Sequence, residues 1–135
     1  MLEDIINTHF SSLLKNKGFK LVAEQHSASF GDALMDFESP EFRLRFVSDR
    51  GQIIVRIGSN TSNNEWFSLR VVRSLVLDKD ILQIEKYNEL ALFLEQHYST
   101  LATMFNSQNI SETTLRLKKF IDEWQRKEHP SWFKS

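Results

Sequence analysis

Arg43, Arg45 and Arg56 fill the polar slots of FRLRFVSDRGQIIVRIG, residues 42–58, where apolar and polar residues alternate on both sides of Asp49-Arg50-Gly51. Three guanidiniums on one face of a strand pair could hold an anionic partner through charge-assisted hydrogen bonds. They could equally be the wet side of a sheet, placed in water by parity alone. Leu34 and Ile54 share their face. Arginine mixed with aliphatic side chains resembles an interface more than a bare solvent surface. The candidate partner-binding residues are therefore Arg43, Arg45, Arg56 and Ile54. Trp132 and Phe133 in the tail form a second candidate, since aromatic residues are enriched at binding hot spots. Arg45→Thr is expected to leave folding intact, and partner binding that survives the change would make the arginines only the wet face.

Other chemistry is thinly represented. Asp32 and Asp36 share a parity on one strand candidate and could work as acid and base, but nothing else converges on them, and solvation of the sheet is the simpler role. His9, His26, His97 and His129 are scattered, and no His-Glu-x-x-His occurs, so no metal ligand set is expected. His9 and His97 fall beside apolar helix stripes and read as boundary histidines. The glycines at 18, 31, 51 and 58 make neither a phosphate loop nor a dinucleotide fingerprint, and there is no Gly-x-Ser-x-Gly elbow. No catalytic residue and no cofactor is assigned.

Composition narrows the classes further. Seventeen basic residues against eighteen acidic ones leave a net charge of -1, which argues against a dedicated nucleic-acid binder. The aromatics of the strands fall on the core parity, away from the arginines, where bases could not stack on them. With no cysteine, disulfides and thiol chemistry are excluded. The Met-Leu-Glu-Asp start lacks the basic and apolar regions of a signal peptide. No apolar run approaches the roughly 18 to 20 residues that span a bilayer. A cytoplasmic protein is the expectation, without membrane or nucleic-acid partners. Charge is uneven: residues 41–75 hold six arginines against three acids, and residues 76–110 hold five acids against two lysines.

The elements that must position these residues follow from periodicity. Leu2, Ile5, Ile6, Phe10, Leu13 and Leu14 predict a helix over 2–16, stopped by Gly18. Four strands follow, marked by Phe19/Leu21/Ala23, Ala33/Met35/Phe37, Phe42/Leu44/Phe46 and Ile53/Val55/Ile57. A tight turn at Arg50-Gly51 pairs Phe46 with Val55, Leu44 with Ile57 and Arg45 with Arg56. A turn at 38–41 pairs Phe37 with Phe42, Met35 with Leu44 and Asp36 with Arg43. After the loop 58–64, Trp66 anchors the chain onto the core. Ser68 could cap a short helix bearing Leu69, Val72, Leu75 and Val76, though β-branched residues leave 68–77 open to a strand. Asp80 with Gln83 opens a long helix whose stripe runs from Ile84 to Phe105. Ser111 opens a last helix with Leu117, Phe120, Ile121 and Trp124 inward, ended by Pro130. The expectation is a single α+β domain over 1–135, with 128–135 as a tail. An N-terminal helix and a four-stranded antiparallel meander precede two or three helices packed on one sheet face.

The leading helix, the meander with FVSDRGQIIVRIG, the EWFSLRVV segment and the helical end together resemble small bacterial proteins of the immunity type, which neutralise polymorphic or contact-delivered toxins. The resemblance is one of layout over most of the chain and carries over no functional residue. It implies a cytoplasmic, non-enzymatic protein that blocks a toxin by surface complementarity. Two other readings stand beside it: a small-ligand binder or enzyme with a cleft between sheet and helices, and a self-associating structural protein.

Overall fold

The computed structural model describes residues 2–26, 32–61, 65–80 and 86–133, apart from the Phe133 side chain. Residues 2–16 are helical, as their spacing predicts, and are called α1. The middle of α1, Ile6–Phe10, is a π-helical turn. Leu2, Ile6 and Phe10 recur at steps of four, wider than the 3.6 residues of an α turn. A wider turn keeps all three on one side, and all three are buried. Gly18, at φ 74°, ends the helix in the left-handed region.

A meander follows: β1 (Lys20–His26), β2 (Ala33–Glu38), β3 (Arg43–Asp49) and β4 (Gln52–Gly58). A fifth strand, β5 (Phe67–Ser68), completes an antiparallel sheet in the order β1-β2-β3-β4-β5. Four strands were expected; two residues are too few to show a period, so β5 is silent in the sequence. The segment 68–77 is a helix, as the spacing of Leu69, Val72, Leu75 and Val76 allows, and only Ser68 belongs to a strand. Ser68 ends β5 and stands at the N-cap of α2 (Leu69–Leu77), although its side chain makes no capping hydrogen bond.

The β3–β4 register is the expected one. Arg50 and Gly51 have φ of 52° and 83°, the paired positive values of a two-residue hairpin turn. Phe46 stands opposite Val55, Leu44 opposite Ile57 and Arg45 opposite Arg56. The β2–β3 register keeps the expected parity but is shifted by two residues. Phe37 pairs with Leu44 and Met35 with Phe46, and Asp36 meets Arg45 rather than Arg43. Ser39 is the cause. Its amide donates to the Phe42 carbonyl at 3.0 Å, and its Oγ accepts from the amides of Glu41 and Phe42 at 3.2 Å each. The turn therefore takes in Phe42, whose ring packs against Phe19 and Tyr98.

β1 departs further from its pattern. A bulge between Leu21 and Ala23 moves Ala23 to the face opposite Leu21. Every residue of β1 is exposed, Leu21 and Val22 included. The expected Phe19/Leu21/Ala23 core face is thus real only at Phe19.

The long helix is broken. α3 (Tyr87–Gln96) and α4 (Tyr98–Met104) meet at His97, whose φ of -113° and ψ of 19° bend the chain. The apolar stripe survives the bend, since Leu94, Leu101 and Phe105 are all fully buried, and so the spacing could not reveal it. Gln83 and Ile84 lie outside the described residues, and with them the proposed capping box. α5 (Ile110–Glu128) begins one residue before Ser111 and buries Leu117, with Phe120, Ile121 and Trp124 packed on the core. A 3-10 turn, Pro130–Phe133, takes up the tail.

The core lies on the Leu44/Phe46/Ile57 side of the sheet, where α1 packs on β3 and α2 on β4. Phe46 is its centre, with Phe10 and Phe37 set edge-on at 4.9 and 5.7 Å between ring centroids. No helix among the described residues is long and apolar enough to cross a membrane.

Candidate functional site

Residues of the other parity form the outer face of the sheet. The register lays them out in three rows. Lys20, Glu38, Arg43 and Gly58 make a charged row. Ala23, Asp36, Arg45, Arg56 and Ser68 make the middle row. Gln25, Leu34, Val47 and Ile54 make an aliphatic row. Leu34, Val47 and Ile54 are only half-buried. The candidate residues Arg43, Arg45, Ile54 and Arg56 are therefore brought onto one face.

The two adjacent arginines are held differently. The Arg45 guanidinium reaches sideways to Asp36, donating from Nε to Oδ1 at 2.7 Å and from Nη2 to Oδ2 at 2.8 Å. This two-pronged pairing is the strong geometry for arginine and carboxylate, and Asp36 is only 7% exposed. Arg43 donates from Nε to the Ser59 carbonyl at 3.0 Å. Burial lowers the Arg43 pKa from its ordinary value, whereas the hydrogen bond with Asp36 raises that of Arg45. Both remain charged at any physiological pH.

Trp66 joins them. The guanidinium carbons of Arg43 and Arg45 lie 4.5 and 4.4 Å from its ring centroid, within range of cation–π attraction. The expectation that Trp66 anchors onto the core is corrected: it lies half-buried on the arginine side. Gly58 makes room for it. A Cβ at Gly58 would stand 2.9 Å from the Glu65 carbonyl oxygen and 3.2 Å from the indole. Asp36 and Trp66 are the members of this face whose roles the sequence misplaced. The available signals were the shared parity of Asp36 with the arginines and the glycine at 58.

Arg56 stands apart. Its side chain makes no ion pair or hydrogen bond to another described residue. It borders a groove of about 540 Å³ lined by Gly51–Arg56, Ser68, Arg70, Tyr87 and Leu90.

Trp132, the tail candidate whose side chain is described, makes its ring contact within the tail. Trp132 is 65% exposed and stacks on His129 at 3.9 Å, which in turn meets Trp124 of α5 edge-on. The Phe133 side chain lies outside the described residues.

The remaining chemical candidates have structural partners. Asp32 accepts from the Arg50 amide at 3.2 Å, and Asp36 is paired with Arg45. His9 and His97 are half-buried beside the rings of Tyr87 and Phe93. The bulge in β1 turns Glu24 and His26 to one side with Glu3, their ligand-type atoms within 4.8 Å of one another. All three are exposed, and we assign no ion to them. No family model, curated protein or solved structure matches this chain.

Proposed function

We propose that this protein is a non-enzymatic protein-binding module whose interface is the outer face of the sheet. The observation that carries the reading is the Arg43–Trp66–Arg45 cluster beside the half-buried row Leu34, Val47 and Ile54. Arginine and tryptophan are the residue types most enriched at interface hot spots. Stacking and ion pairing hold them in place before binding, so little side-chain entropy is lost on association. A toxin-blocking inhibitor of the immunity type is the kind of protein to which the layout points, and it would act by covering a surface of the toxin rather than by chemistry.

Immobilised protein and extract of the native host test the reading. The wild-type chain retains a partner that Leu34→Asp releases, while Leu92→Asp, on an exposed helix position, retains it. Equal retention by all three chains, or none by the wild type, counts against it.

A further inference from the structure

The groove beside Arg56 has a particular relation to the sheet. Ile53 and Val55 have core parity and Ile54 and Arg56 outer parity, yet all four line it. Residues of both parities border one groove only when it runs along the edge of a strand. Among the described residues, β5 pairs with β4 at Arg56 and Ile57 alone, and the edge beyond them has no paired strand. In a two-residue hairpin the residues flanking the turn exchange hydrogen bonds, and the pattern then alternates. From the pair Asp49–Gln52, both main-chain groups of Ile53 and the amide of Val55 point away from β3, toward the groove, while the Val55 carbonyl faces Leu69 beyond the Arg56–Ser68 pair.

The lining selects the occupant. It includes Arg56, Arg70, Ser68 and Tyr87, with Ile53, Ile54 and Leu90 as apolar wall and no acidic residue among the described ones. Charge and edge together fit an extended chain that carries both acidic and apolar side chains.

We infer that β4 accepts an acidic peptide segment of a partner protein as an added strand along Gln52–Val55. The inference rests on the protein-binding reading and uses the free edge of β4, which shares Ile54 and Arg56 with the outer face. The segment pairs its backbone with both main-chain groups of Ile53 and with the Val55 amide. Its carboxylates meet Arg56 and Arg70, and its apolar side chains lie against Ile54 and Leu90.

Selection of short random peptides against the full-length chain, followed by titration into isotope-labelled protein, tests this. The selected peptides are expected to carry Asp or Glu between β-branched or aromatic residues and to shift resonances along Gln52–Arg56. Affinity falls about tenfold or more in Arg56→Glu and in Ile53→Pro, and is unchanged in Leu34→Asp. Should Ile53→Pro not fold, N-methylation of the selected peptide removes the same hydrogen bonds from the other side. The inference is overturned if no peptide is enriched, if binding survives N-methylation, or if free glutamate produces the same shifts as well as the peptide does. The wider protein-binding reading fails separately, through the outer-face variant Leu34→Asp in the capture experiment.

Discussion

Arg45 stands directly opposite Arg56 across β3 and β4, and the sheet tolerates the pair because Arg45 is turned onto Asp36. Like charges in this position cost up to about 1 kcal/mol. The two hydrogen bonds to a nearly buried carboxylate offset that cost. The expectation that Arg45→Thr leaves folding intact is therefore revised. Removing Arg45 strands the Asp36 charge at 7% exposure. Arg45→Thr and Asp36→Asn should each lower stability by about 1–3 kcal/mol. The double variant should lose less than the two losses added. Urea unfolding at neutral pH measures all three, and strict additivity would mean that the pair is not coupled.

Gly58 and Trp66 should behave as a unit. A methyl group at 58 meets the Glu65 carbonyl, which is main chain and cannot swing aside. Gly58→Ala should cost about 1–3 kcal/mol by displacing residues 65–66. Tryptophan fluorescence should change in the same variant. A melting temperature equal to that of the wild type would show that the indole is not held where the cluster requires.

The Arg50-Gly51 turn offers a gain. Arg50 has φ 52°, a conformation that asparagine adopts more readily than arginine. Its amide, which donates to Asp32, is unaffected by the side chain. Arg50→Asn should stabilise the fold by about 0.5 kcal/mol and Gly51→Ala should weaken it by about 1 kcal/mol. Denaturant midpoints read both signs.

Tyr98 ties α4 to the β2–β3 turn by donating to Ser39 Oγ at 2.9 Å. Burial raises its pKa, with the Ser39 hydrogen bond acting in the opposite sense. A raised folded-state value means that the stability linked to the phenol is intact below the unfolded value of about 10 and is lost as pH rises through the folded one. Stability should therefore decline above about pH 10, and less steeply in Tyr98→Phe. That variant should also lose about 1 kcal/mol at neutral pH. Ultraviolet titration of the phenolate checks the direction, and a normal Tyr98 titration would contradict the burial.

Much of the fold is legible in the sequence, for a physical reason. Alternation across a two-residue turn fixes parity, so the β3–β4 pairing and the outer position of Arg43, Arg45, Arg56 and Ile54 follow from residue types alone. What escapes is decided by contacts distant in sequence or too small to show a period. The two-residue shift of β2 depends on the Ser39 turn, supported by Tyr98, which lies 59 residues further along the chain. The bulge in β1, the two-residue β5 and the bend at His97 leave no periodic trace. The Arg45–Asp36 pair depends on the shifted register, and the Trp66 stack depends on the path of the chain after Gly58. The part of the candidate face that sequence could not supply is therefore what holds its arginines in place.

The central claim is that the outer face of the sheet meets a protein partner. The most direct test is a photo-crosslinking amino acid placed at Val47, in the middle of the aliphatic row, in the native host. A single covalent adduct from position 47, absent when the same group is placed at Leu92, is the predicted result. Equal labelling from both positions, or none from position 47, would contradict the claim.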